Sequence, residues 1–206
     1  MNLPNKLSIL RICLVPLFVV AYFLPFYWGS FVVVCLFVIA AFTDFLDGYI
    51  ARKYNLVTDL GKLLDPIADK ILVCAALFCV VATNPLQNFS QLAISYEFAF
   101  DFGQIFLAVG ATLILARELI VSAVRQIAAS KGIVVQANVY GKVKTVVQDI
   151  ALPLLVILKA QGDAAVNSVF FDVVWVLGTV VFGISVLLTI VSGTIYLVQN
   201  KKVFTD

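Results

Sequence analysis

Four aspartates stand where the chain is otherwise strongly apolar. Asp44 and Asp47 follow the apolar run 31–42, and Asp65 and Asp69 precede the apolar run 71–81. A carboxylate at membrane depth is costly and usually serves an ion, a proton or a ligand. A single such acid reads equally well as a helix-end residue among headgroups, but four acids at i,i+3 and i,i+4 spacing do not. On helices, Asp44 and Asp47 share one face about 4.5 Å apart along the axis, and Asp65 and Asp69 share another about 6 Å apart. The short connection from Arg52 to Leu60 predicts antiparallel neighbours with both pairs at one depth. Like charges gathered in low dielectric protonate or repel unless a cation holds them. Oxygen-only ligands favour Mg²⁺, Mn²⁺ or Ca²⁺ over zinc. Two divalent cations balance four carboxylates, and paired metals suit displacement at phosphorus. The chain has no histidine, so an aspartate is the obvious candidate for a general base.

The elements that must hold these acids follow from composition. The chain has 206 residues, of which 63% are hydrophobic. That excludes a soluble domain and predicts an all-α polytopic membrane protein, a single domain over residues 1–206. Six transmembrane helices are expected, near residues 7–24, 31–51, 61–82, 102–128, 139–158 and 170–198. A short N-terminal surface segment, residues 1–6, precedes them, and residues 83–101 form a loop or surface helix. The first apolar run lacks a small-residue cleavage site and is kept as a span. Cys13, Cys35, Cys74 and Cys79 lie in apolar runs without a CxxC pattern and read as small buried hydrophobes.

The basic residues set the orientation. Lys6, Arg11, Arg52, Lys53, Lys62, Arg125, Lys131, Lys142, Lys144, Lys201 and Lys202 fall on one side, and the other side has Lys159. The positive-inside rule then places both termini and the acids at the cytoplasmic face, with Tyr22, Trp28 and Tyr196 as interfacial belt residues. Lys70 reads as a counter-ion to the acids. Arg117 lies deeper, immediately before Glu118, and shares a helix face with Arg125 about two turns on. With Lys142 and Lys144 these arginines could line one anion pocket, whereas Lys131, Lys201 and Lys202 fit ordinary loop charge. The sixth span carries no comparable marks and is expected to serve packing or dimer contact.

The pattern D-x-x-D-G-x-x-A-R-x8-G-x-x-x-D-x-x-x-D resembles the signature of the CDP-alcohol phosphatidyltransferases. Its eight fixed positions over 26 residues are Asp44, Asp47, Gly48, Ala51, Arg52, Gly61, Asp65 and Asp69. The resemblance implies CDP-diacylglycerol as donor and CMP as leaving group. It implies Asp44, Asp47, Asp65 and Asp69 as ligands of two divalent cations, Mg²⁺ or Mn²⁺, with Asp69 also the general base. Gly48, Ala51, Arg52 and Gly61 match positions on the nucleotide side. The absent Cβ of Gly48 and Gly61 would admit a nucleotide close to the backbone, and Arg52 could neutralise pyrophosphate charge.

The signature does not encode the acceptor alcohol. Three further stretches, 2–16 with Asn5 and Arg11, 116–125 with Arg117 and Arg125, and 141–148 with Lys142 and Lys144, look like the phosphatidylglycerophosphate synthase branch of that family. That likeness implies glycerol 3-phosphate as acceptor, whose phosphate the four basic residues would bind, and places Asn5 and Arg11 at the nucleotide or the mouth of the site. It also implies a homodimer. Within the family the rival reading is another acceptor, such as inositol phosphate, inositol or serine. Outside it, the rival is a cation transporter using the four acids as a transit site. Against transport, the acids lie near one face, and no polar residues continue a path through the outer halves of the spans.

Overall fold

The computed structural model describes the backbone of residues 3–24, 29–53, 59–86, 102–131, 139–158 and 169–201. Within those segments the side chains of residues 3–5, 30, 44–49, 51–52, 59–60, 62–66, 69 and 169 lie outside the described residues. What is described is helical, without a strand: α1 (Leu3–Phe23), α2 (Gly29–Lys53), α3 (Asp59–Thr83), α4 (Phe102–Ser130), α5 (Val139–Ile157) and α6 (Val169–Gln199). Each helix coincides with one expected span. The first begins earlier than expected, at Leu3, so part of the polar lead is helical; Pro4 in its first turn forfeits no intrahelical bond.

The described surface is that of a multi-pass membrane protein. Outward faces carry large apolar side chains such as Val20, Phe42, Phe78, Leu119 and Leu187, while Ser8, Arg11, Lys144, Gln148, Ser185, Thr189 and Ser192 are buried. A soluble protein would reverse this arrangement. Several serine and threonine hydroxyls are satisfied within their own helices, as where Thr189 Oγ1 donates to the Ser185 carbonyl (2.7 Å) and Thr112 Oγ1 to the Ala108 carbonyl (2.8 Å), which suits a medium without water. Three helices have apolar stretches long enough to cross a bilayer among the described residues, Lys6–Phe23, Phe102–Ser130 and Phe170–Gln199. The apolar parts of α2 and α3 are shorter, Phe31–Thr43 and Lys70–Thr83. Asp44 and Asp69, whose side chains lie outside the described residues, adjoin the ends of these two stretches.

Two compact units form, the first from residues 1–85 and 153–174, the second from 86–152 and 175–206. In the first, α1 packs against both α2 and α3, which also touch each other. The buried stripe of α1 runs Ser8, Arg11, Val15, Phe18 and Tyr22, a three–four repeat along one face. α3 ends at Asn84, whose left-handed backbone (φ 44°) lets its N–H reach the Val80 carbonyl at 3.1 Å, with Pro85 following.

In the second unit, α4 and α6 run side by side. Phe106 and Phe182 meet edge to face, centroids 5.6 Å apart. Further along, Arg117 approaches Gly193, so equal steps on the two chains keep the helices in parallel register. The contact is close because α4 offers a notch at Gly110, where an added Cβ would stand 2.6 Å from Phe182 Cε1 and 2.9 Å from Val186 Cγ2. Small residues at such positions are how membrane helices gain packing in place of a hydrophobic drive. Gly110→Ala is expected to destabilise by about 1–3 kcal/mol through overpacking, seen as a lowered thermal unfolding midpoint in detergent, and Phe182→Leu in the same chain should recover part of the loss.

Two differences from expectation concern single side chains. Tyr22 and Tyr196, expected in interfacial belts, are both buried, 1% and 2% exposed. Tyr22 is held by a 2.6 Å hydrogen bond to Thr83 Oγ1, a tyrosine finding its partner inside the bundle. None of the four cysteines forms a disulfide among the described residues, but only Cys79 is buried, while Cys13 and Cys35 are exposed. An apolar thiol facing lipid has no need of burial.

Candidate functional site

The acid motif lies on the C-terminal end of α2 and the N-terminal end of α3. The side chains of Asn5, Asp44, Asp47, Gly48, Ala51, Arg52, Asp65 and Asp69 lie outside the described residues, but the backbone register is fixed by contacts further up the helices. Phe18 of α1 meets Phe37 of α2, ring centroids 6.2 Å apart. The five-residue link between these helices makes them antiparallel. Seven residues back from Phe18 is Arg11, and seven residues on from Phe37 is Asp44, so their backbones stand at one level about 10.5 Å from the ring pair. Ten residues in the same senses lead to Ser8 and Asp47. The Tyr22–Thr83 hydrogen bond fixes α3 likewise, and fourteen residues back on each chain are Ser8 and Asp69. Both helix ends of the motif therefore fall at the level of the polar end of the α1 stripe.

Arg11 and Ser8 are fully buried there, each 0% exposed, and Gly61 is also buried. An arginine in such surroundings requires anionic company. The donor chemistry of the four aspartates suits a hard divalent cation, being carboxylate oxygen without thiol or imidazole. Among the described residues no group of three or more histidine, cysteine, aspartate or glutamate side chains gathers as a rival metal centre.

The basic residues fall in the second unit, on α4 and α5. Glu118 is their hinge. Its Oε1 accepts from Lys144 Nζ at 2.5 Å and from Arg117 Nη1 at 3.3 Å. The Lys144 side chain is 0% exposed, against 12% for Arg117 and 22% for Glu118. Two cations thus share one carboxylate oxygen in a nearly dry place, and Asp149, five residues on from Lys144, adds a second acid near the lysine. Arg117 Nε is buried without a partner among the described residues, a donor that an anion would satisfy.

Arg117 reaches this position between two glycines. An added Cβ at Gly141 of α5 would stand 3.1 Å from Arg117 Nη2, and one at Gly193 of α6 would stand 3.1 Å from Arg117 Cγ. Gln148, one turn beyond Lys144, is buried with its Oε1 unpaired among the described residues. Arg125 is exposed and stacks over the Tyr196 ring, 5.8 Å from its centroid. Lys142 is exposed, about 200° round α5 from Lys144. Arg117 and Lys144 are thus brought together through Glu118, while Lys142 stands apart on another face of its helix.

Sequence reasoning did not single out Glu118 as the shared counter-ion, nor Gly141, Gly193 and Tyr196 as the surfaces on which the arginines rest. The Glu118 arrangement carries a stability consequence. Glu118→Gln removes the carboxylate that buried Lys144 bonds, leaving Asp149 as the remaining nearby acid, and is expected to cost about 2–3 kcal/mol, less than for a fully buried pair because Glu118 is part exposed. The double variant Glu118→Gln/Lys144→Met should unfold at a temperature nearer wild type while losing affinity for an anionic acceptor.

The profile of the CDP-alcohol phosphatidyltransferase family matches residues 1–191. The chain is 36% identical over 203 residues to a Rickettsia bellii protein, covering 98% of this chain and 97% of that one. It is 37% identical over 212 residues to a Bacillus subtilis protein, covering 97% and 95%. It is 37% identical over 156 residues to a Salmonella typhimurium protein, covering 75% and 76%. All three relatives are named CDP-diacylglycerol–glycerol-3-phosphate 3-phosphatidyltransferase. The chain belongs to the CDP-alcohol phosphatidyltransferase family and is a membrane-embedded transferase.

Proposed function

We propose that this chain transfers the phosphatidyl group of CDP-diacylglycerol to sn-glycerol 3-phosphate, giving phosphatidylglycerophosphate and CMP. The names of its relatives support this choice. The observation that carries the acceptor is the Arg117–Glu118–Lys144 cluster, with a buried guanidinium donor left over. A phosphorylated alcohol supplies the charged oxygen that such a donor favours, which a neutral alcohol lacks.

In this reading Asp44, Asp47, Asp65 and Asp69 hold two divalent cations, Mg²⁺ or Mn²⁺. When bound, such a pair stabilises negative charge on the pyrophosphate and on the departing nucleotide. Asn5, Arg11, Gly48, Ala51, Arg52 and Gly61 receive the nucleotide, and Arg117, Arg125 and Lys144 receive the acceptor phosphate, while Lys142, on another face of α5, falls outside that set. Asp69 takes the proton from the acceptor hydroxyl. That oxygen forms a bond to the phosphorus bearing diacylglycerol as the bond from that phosphorus to the CMP oxygen breaks. The acyl chains remain in the bilayer throughout.

The same reading makes all six helices spans of the cytoplasmic membrane in one domain, residues 1–206. Both termini and the acids then face the cytoplasm, as the distribution of lysine and arginine supports, and the working form is a homodimer.

The deciding experiment offers the purified protein CDP-diacylglycerol with glycerol 3-phosphate, inositol phosphate, inositol or serine, and follows CMP release. Glycerol 3-phosphate should be preferred by at least tenfold in kcat/KM, and equal or better turnover with another alcohol would remove this assignment. Asp69→Asn should abolish turnover while largely sparing donor binding, measured by calorimetry. Chelation of divalent cations should stop CMP release, and Mg²⁺ or Mn²⁺ should restore it. Cation flux into proteoliposomes without CMP release would favour a transporter instead.

A further inference from the structure

The sixth helix holds more than packing surface. Its buried face within the second unit runs Gly178, Phe182, Ser185, Thr189, Ser192 and Tyr196, spaced by threes and fours. The first part is apolar or glycine, and from Ser185 onward every member carries a hydroxyl. At that end α6 touches both arginines of α4: Gly193 lies against the Arg117 stem, and the Tyr196 ring lies under the Arg125 guanidinium at 5.8 Å. Tyr196 is itself fixed by packing with Val121, Val124 and Leu197. The two α4 side chains that anchor Tyr196, Val121 and Val124, lie between Arg117 and Arg125 in the chain. The aromatic surface beneath Arg125 is thereby tied to the same stretch of α4 that carries both arginines.

We propose that Tyr196 is a positioning residue for the anionic acceptor, acting through Arg125. A buried, immobile ring presents its negative face to an exposed guanidinium and narrows the arc through which that long side chain swings. Arg125 then spends less rotamer entropy on meeting a phosphate. The Tyr196 hydroxyl is buried and without a partner among the described residues, so the ring is the part of the side chain that the arrangement uses. This inference rests on the acceptor reading above, in which Arg125 meets the phosphate of glycerol 3-phosphate.

The test measures steady-state kinetics of the purified full chain with CDP-diacylglycerol and glycerol 3-phosphate. Tyr196→Phe should keep the acceptor KM near wild type. Tyr196→Leu should raise it by about two- to fivefold, with kcat and the donor KM unmoved. A series of fluorinated phenylalanines at position 196 keeps the ring's shape while draining its face of charge, so it reads the same effect even if Tyr196→Leu does not fold. The acceptor KM should climb step by step along it.

A double-mutant cycle closes the argument. Arg125→Ala should raise the acceptor KM by tenfold or more, and adding Tyr196→Leu should raise it no further. A flat fluorination series, or a Tyr196→Phe loss as large as that of Tyr196→Leu, would overturn the positioning role and leave Arg125 in its place. An Arg125→Ala protein with an unchanged acceptor KM would overturn the acceptor reading itself.

Discussion

A lysine ammonium with no access to water needs an anion against it, and in this chain that anion is Glu118. Burial of Lys144 at 0% exposure would be prohibitive without the shared carboxylate. Once α5 is pinned to α4 by that contact, Arg117 has one way to lie, through the space left by Gly141 and Gly193. Three helices are thus placed relative to one another by a single acid. The Arg117 Nε left without a partner among the described residues is the one donor of the cluster that the staple does not use.

The same economy appears along the length of individual helices. The α1 stripe is aromatic and aliphatic through Tyr22, Phe18 and Val15, then polar at Arg11 and Ser8. The α5 stripe is aliphatic through Leu155, Leu152 and Ala151, then polar at Gln148 and Lys144. The α6 stripe changes from Phe182 to the hydroxyls of Ser185, Thr189 and Ser192. In each helix one half of the buried face serves cohesion, and the other half is available for chemistry. A helix in lipid can divide its labour in this way because its outer face demands only apolar side chains, and the backbone satisfies itself.

Much of this was legible in the sequence. The lengths of the apolar runs placed all six helices within a few residues, because hydrocarbon thickness leaves little freedom. The acid motif was legible because i,i+3 and i,i+4 spacing has a fixed geometric meaning. What escaped was whatever depended on a second helix. Lys142 and Lys144 are the same residue type two positions apart, and only Glu118, 26 residues away, distinguishes the buried one. Tyr196 near the end of an apolar helix looks like a belt residue until Arg125 is found over its face. Gly193 has no local role at all; its meaning is the stem of Arg117.

The notch at Gly110 limits how the second unit can move. Phe182 sits in it as a pawl sits in a ratchet tooth, with the edge of Phe106 closing one side. A ring held this way resists sliding of α6 along α4, because any axial step must lift it clear of the tooth. Further along, Gly193 on the Arg117 stem and Tyr196 packed on Val121 and Val124 seat α6 a second time, so the two helices are keyed together at two separate levels.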